Sequence, residues 1–168
     1  MTHESPTIAQ SAARPSDDEA RLLRASPAER LVQLVLAAAA WALLAVAWSL
    51  TPAAEGLGTH EQLGLQPCTF HQLTSQPCPS CGMTTAFSLM AHGRLPEALL
   101  AQPFAALLFV LVLAAAVGLT AAAVAGRSLR PLMYSTRVPL ALTVLVVLWL
   151  AGWGFKIFYG ALHGGVAP

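Results

Sequence analysis

Three cysteines and one histidine lie close together in the middle of the chain, in the order Cys68, His71, Cys78 and Cys81. Cysteine sulfur and histidine nitrogen are zinc ligands, and paired ligands two residues apart are typical of structural zinc sites. These four residues therefore predict a metal site with three sulfurs and one nitrogen. Because thiolates are soft ligands, copper(I) is a second candidate ion beside zinc.

Cys78 and Cys81 also have the spacing of a redox-active dithiol at the start of a helix. The positive end of a helix favours the thiolate, and the thiolate is the species that attacks a disulfide. The two residues are thus candidate catalytic residues for thiol–disulfide exchange. No βαβ pattern surrounds the pair, however, and a membrane oxidase would need a second cysteine pair where only Cys68 remains.

A structural role is the third interpretation. A disulfide from Cys68 to either Cys78 or Cys81 would close a loop of about ten residues and stabilise the fold by roughly 2–3 kcal/mol. Unpaired cysteines packed as small apolar side chains would serve the same purpose. The leading prediction is therefore a non-enzymatic accessory or assembly protein that needs no cofactor. A redox or a zinc- or copper-binding protein is the alternative.

The chain that must position these residues has the composition of a membrane protein. It is 56% hydrophobic and 10% charged, whereas soluble proteins average about 25% charged residues. A net charge of +1 gives no basic surface for nucleic acid. Three apolar stretches of about twenty residues are each long enough to cross roughly 30 Å of hydrocarbon. We therefore predict an all-α protein with three transmembrane helices in a lipid bilayer.

The segments between these spans complete the predicted organisation. A capping box from Ser26 to Glu29 starts the first span. The apolar runs that begin at Thr84 and Pro96 are too short to span, and they predict one or two short interfacial or re-entrant helices after the Cys-x-x-Cys corner. In order, the segments are a disordered tail 1–30, span 31–50, outer loop 51–103, span 104–124, cytoplasmic loop 125–137, span 138–158 and outer tail 159–168.

The arginines predict the orientation. They precede the first span and lie between the second and third, whereas the loop 51–103 contains only Arg94. Positive loops stay in the cytoplasm, so the amino terminus is expected inside and the cysteines and carboxy terminus outside. The excess of arginine over lysine, with abundant alanine and leucine, suggests a bacterial chain and hence the inner membrane.

Four further residues in the spans bear on packing. Lys156, the single lysine of the chain, lies near the end of the third span, from where its side chain is expected to reach the lipid head groups, with a functional buried lysine as the alternative. Gly118, Gly152 and Gly154 are positions at which helices can approach closely. The spans contain almost no ionisable group, which argues against transport. The sequence leaves open both a protein partner and a homo-oligomer.

The segment 67–103 contains a characteristic series: Pro67, Cys68 and Phe70, then Cys78, Pro79, Cys81, Gly82 and Thr84, then Gly93 and Pro103. This order resembles a widespread bacterial family of small integral membrane proteins of unknown function with a CPxCGxTR-type motif, here CPSCGMTT. The resemblance implies a membrane architecture and no established activity. Thr85, Arg94 and Gln102 replace the arginine, aspartate and asparagine that are usual in the family.

Overall fold

The computed structural model describes residues 24–130 and 137–163, with side chains up to Tyr159. The described part is helical and contains no β-strand apart from one isolated bridge between Arg24 and Arg127. The elements are α1 Pro27–Ser49, a 3-10 turn Thr59–Leu63, α2 Thr69–Thr74, α3 Met83–Ala91, α4 Leu95–Ala101, α5 Pro103–Ala125 and α6 Arg137–His163. The predicted fold class is confirmed: three long apolar helices, with short helices beside the cysteines.

Each of α1, α5 and α6 is long and apolar enough to cross a membrane. A helix of 23 residues, the length of α1 and of α5, extends about 34 Å at roughly 1.5 Å per residue. Most of their large apolar side chains point away from the protein. Lipid accounts for that exposure, because water would not tolerate so large an apolar surface.

The start of α1 has the predicted cap. The Ser26 hydroxyl accepts a hydrogen bond from the Glu29 amide at 3.2 Å, and the Glu29 carboxylate accepts one from the Ser26 amide at 2.9 Å. This reciprocal pair satisfies two backbone donors that a helix start leaves free. Pro27 occupies the first helical position, where a missing N–H costs nothing.

The start of α1 lies beside the end of α5, so the two spans are antiparallel neighbours. The Arg30 side chain donates to the Ala123 carbonyl at 3.0 Å, and the Gln33 amide donates to the Arg127 carbonyl at 3.0 Å. Arg130 pairs with Glu29 at 2.8 Å. Polar groups at the start of α1 therefore pair with backbone carbonyls in and just beyond the last turn of α5.

The short helices pack against the opposite end of this helix pair. Five consecutive residues of α3, from Thr85 to Leu89, are buried, and the Ser88 hydroxyl donates to the Leu50 carbonyl at the end of α1 at 2.6 Å. The middle of α3 is thus enclosed by protein. The core here consists of Ala47, Ala86, Phe87, Leu89, Ala98, Ala101, Ala105 and Ala106.

The third span approaches α5 at a glycine. A Cβ atom added to Gly152 would lie 3.2 Å from the Phe104 Cβ, whereas Gly118 and Gly154 have open space beside them. Of the three glycines expected to allow close approach, Gly152 is therefore the one that does so among the described residues.

Parts of the predicted organisation lie outside the described residues. These are residues 1–23 of the tail, 131–136 of the cytoplasmic loop and 164–168 of the outer tail. Within the outer loop, the 3-10 turn and α2 are elements that the sequence did not indicate, since each is too short to show a hydrophobic period.

Gly152→Leu should destabilise the protein by about 1–3 kcal/mol, the usual cost of overpacking, because the larger side chain pushes α6 away from Phe104. Gly154→Leu is the matched control, since its position is exposed. Thermal unfolding in detergent micelles measures both. Equal unfolding temperatures for the two variants would contradict the proposed contact between α5 and α6.

Candidate functional site

The segment Pro77–Gly82 forms a tight corner at the start of α3. The Cys81 amide donates to the Cys78 carbonyl at 3.0 Å, which closes a β-turn. Gly82 follows with φ of 83°, a left-handed conformation that favours glycine, and α3 begins at the next residue. The corner brings both cysteines of the Cys-x-x-Cys pair to the beginning of a buried helix.

The three thiols converge at this corner. Cys68 lies at the start of α2, a separate segment, yet the sulfurs of Cys68, Cys78 and Cys81 all lie within 4.8 Å of one another. The Cys78 and Cys81 sulfurs are 3.0 Å apart. The three cysteines carry no disulfide among them in the structure.

A cavity of about 810 Å³ opens beside the sulfurs. His71, the predicted nitrogen ligand, lines this cavity but does not join the cluster of ligand atoms. The structure thus brings together three of the four predicted metal ligands. Other groups on the cavity wall that can bind a cation are Glu55, His60 and Glu61.

The environments of two thiols differ in their electrostatics. A hydrogen bond from the His71 backbone amide lowers the pKa of Cys68, because it stabilises the thiolate. Burial raises the pKa of Cys81 to about 12, because the charged form loses its hydration. Cys68 therefore forms a thiolate more readily than Cys81 does.

Three side chains from the second and third spans hold the corner through its backbone carbonyls. Trp153 donates to the Pro77 carbonyl at 2.8 Å. The Gln102 amide donates to the Pro79 carbonyl at 3.0 Å. Lys156 donates to the Cys81 carbonyl at 3.1 Å. The sequence reasoning did not identify any of these three as site residues.

The expectation that Lys156 reaches the lipid head groups is wrong. Its exposed fraction is only 1%, and its ammonium group is turned inward to the cysteine corner. The sequence held a signal for this arrangement: the chain has one lysine, and it lies within a span. Ionisable residues in membrane helices usually face the protein interior and mark functional sites.

Gly82 provides the space into which Lys156 fits. A Cβ atom at this position would lie 2.5 Å from the Lys156 Nζ and 3.1 Å from the Ala101 and Gly56 carbonyl oxygens. Glycine is thus required here for two reasons, the left-handed backbone and the close approach of the lysine.

The remaining motif residues surround the corner in supporting positions. Pro67 and Thr84 line the cavity, and Pro79 offers its carbonyl to Gln102. Phe70 is 45% exposed. Gly93, with φ of 76°, turns the chain between α3 and α4, and Pro103 is the first residue of α5.

Thr85, which stands where the resembled family usually has arginine, is buried inside the protein. Its hydroxyl lies 2.8 Å from that of Thr59, and the Thr59 hydroxyl also accepts a hydrogen bond from the Ala53 amide at 3.0 Å. Thr85 therefore ties α3 to the 3-10 turn, and the residue is part of the fold that supports the cavity.

Residues 68–116 match the model of a family described as a protein of unknown function, DUF2752. The match begins at the first cysteine of the cluster and ends within α5, so the whole sulfur site lies inside it. No curated protein and no solved structure matches the chain. The likeness covers less than half of the chain and supplies no activity.

Gly82→Ala should destabilise the protein by more than Gly93→Ala does. Both glycines have a positive φ, which costs an alanine roughly 1–2 kcal/mol. Only at Gly82 would the added Cβ also meet Lys156 and two backbone carbonyl oxygens, since Gly93 has open space beside it. Thermal unfolding of the two variants in the same detergent checks the order. If Gly93→Ala were the more damaging change, the close fit of Lys156 against Gly82 would be wrong.

Proposed function

We propose that this protein is a non-enzymatic membrane protein that binds one zinc or copper ion through Cys68, Cys78 and Cys81. The ion would fix the outer loop against the end of the helix bundle. The observation that carries the proposal is the convergence of three sulfurs from two separate segments within 4.8 Å. A structural disulfide needs only two sulfurs, whereas a metal ion uses all three.

The sulfur positions are close to what a metal ion requires. With a zinc–sulfur bond of about 2.3 Å, two sulfurs on one ion lie about 3.8 Å apart. The Cys78 and Cys81 sulfurs, 3.0 Å apart, would need to separate by about 0.8 Å. Rotation of their side chains provides this movement without a change in the backbone turn.

The cavity supplies the remaining coordination position. Three thiolates leave a tetrahedral zinc ion one ligand short, and the side of the cluster that faces the cavity is lined by His60 and His71. Either imidazole, a water molecule or a group from another molecule can complete the site. An ion that orders the loop and keeps one position toward an open cavity suits an accessory protein that presents a surface to a partner.

We place the protein in the bacterial inner membrane, with its amino terminus in the cytoplasm and the sulfur site outside. The grouping of arginines supports this orientation: Arg24, Arg30, Arg127 and Arg130 lie at one end of the α1 and α5 pair. At the opposite end, Arg94 is the single arginine of the loop 51–103. Such an asymmetry follows the positive-inside rule.

The short distance between the Cys78 and Cys81 sulfurs favours thiol–disulfide exchange as a second candidate function. In that reaction the thiolate of one cysteine attacks a disulfide of a partner protein and forms a mixed disulfide. The other cysteine then resolves it. The partner gains two electrons and two protons, and Cys78 and Cys81 become a disulfide. The metal site is preferred because exchange leaves the position of Cys68 unexplained.

The purified protein should contain one zinc or copper ion per chain, measured by inductively coupled plasma mass spectrometry after dialysis in detergent. Replacement of Cys68, Cys78 or Cys81 by serine should each remove most of the bound metal, because two sulfurs hold an ion far less tightly than three. Ser80→Ala is the matched control: Ser80 is an exposed residue between two of the cysteines, so this variant should retain its metal.

Two results would contradict the metal site. One is a metal-free protein that takes up neither zinc nor copper(I) under reducing conditions. The other is a stable disulfide between Cys78 and Cys81 after anaerobic purification, together with a mixed disulfide trapped by Cys81→Ser, which would favour the exchange reaction. Alkylation of free thiols before and after reduction distinguishes these states.

A further inference from the structure

A buried cation without a buried anion needs an explanation. Lys156 is 1% exposed, and its ammonium group carries three donors, of which one binds the Cys81 carbonyl. Among the described residues no carboxylate forms an ion pair with Lys156; Glu97 and Glu29 pair with Arg94 and Arg130. Burial of a charge is strongly unfavourable unless an opposite charge compensates it.

The sulfur cluster is the group that can supply this opposite charge. Cys81 is both the residue whose carbonyl binds Lys156 and one of the three converging thiols. The ammonium group therefore binds the backbone of a residue whose sulfur belongs to the cluster. Three thiols are neutral, whereas three thiolates on a metal ion carry a negative charge.

We infer that Lys156 is the counter-charge of the metal–thiolate site and that it stabilises the more negative copper(I) complex more strongly than the zinc complex. This inference rests on the metal site proposed above. Three thiolates on a divalent ion such as zinc have a net charge of −1, which one lysine neutralises. Three thiolates on copper(I) have a net charge of −2, of which one lysine compensates half.

Two features show that the protein is shaped to hold the ammonium group at this position. Gly82 leaves room for it, since a Cβ atom would lie 2.5 Å from Nζ. Trp153, one turn earlier on α6, donates to the Pro77 carbonyl and so fixes the helix against the corner. A lysine at the end of a span can extend to water. Here the space beside Gly82 and the hydrogen bond from Trp153 to the corner keep the Lys156 side chain inside.

The charge makes a prediction that a purely mechanical role does not make. Electrostatic interaction energy is proportional to charge, so loss of the lysine should cost a complex of charge −2 twice the free energy that it costs a complex of charge −1. Groups that support metal ligands from outside typically contribute 10–100-fold in affinity. If zinc affinity falls about tenfold, copper(I) affinity should fall about a hundredfold.

The experiment compares Zn²⁺ and Cu⁺ affinities by competition with chromophoric chelators, under anaerobic conditions and in lipid nanodiscs. The variants are Lys156→Gln, which retains a donor for the Cys81 carbonyl but no charge, and Lys156→Met, which retains neither. Trp153→Phe is the matched control, because it removes an uncharged hydrogen bond to the same corner. It should weaken both ions by the same factor.

Lys156→Gln should weaken both ions, copper(I) by the larger factor, and so raise the preference for zinc over copper(I). This ratio is measured within one preparation, so partial unfolding does not alter it. If the wild type binds both ions and the ratio is unchanged in Lys156→Gln and Lys156→Met, the inference is overturned while the metal site stands. If the wild type binds neither ion, the proposed function itself fails.

Discussion

The rest of the site depends on one constraint: the carbonyl groups of the partly buried cysteine corner need hydrogen-bond donors from the protein. A backbone carbonyl that is buried without a hydrogen-bond partner is unfavourable. Among the described turns and caps no backbone N–H donates to the Pro77 or Pro79 carbonyl, so these carbonyls need side-chain donors. Trp153, Gln102 and Lys156 provide those donors. The corner is thus fastened to the second and third spans through its backbone.

This fastening explains why the fold around the corner uses so many small residues. Gly152 allows α6 to approach Phe104, and Gly82 admits the lysine. The alanines of α4 and α5 pack in the core beside the corner, with Ala98, Ala101 and Ala105 completely buried. The side chains of the two cysteines in the corner are then free to face Cys68, because it is the backbone of the corner that the helices hold.

The features that could be predicted from the sequence are those that depend on neighbouring residues. Apolar stretches long enough to span, the capping box at Ser26 and the corner at Gly82 are all visible within a few residues. The partners of the corner are not, because Lys156 and Cys81 are 75 residues apart and no local period links them. Lys156 has a long side chain that can reach either water or the interior, and the sequence alone favoured water. The position of His71 was equally undetermined, since a one-turn helix such as α2 has no pattern that fixes its orientation.

The central claim is that three cysteine sulfurs bind one metal ion, and X-ray absorption spectroscopy at the metal edge tests it most directly. For the wild-type protein loaded with zinc in lipid nanodiscs, we expect three sulfur neighbours at about 2.3 Å and one nitrogen or oxygen neighbour at about 2.0–2.2 Å. A first shell composed of nitrogen and oxygen, with one sulfur or none, would contradict the account.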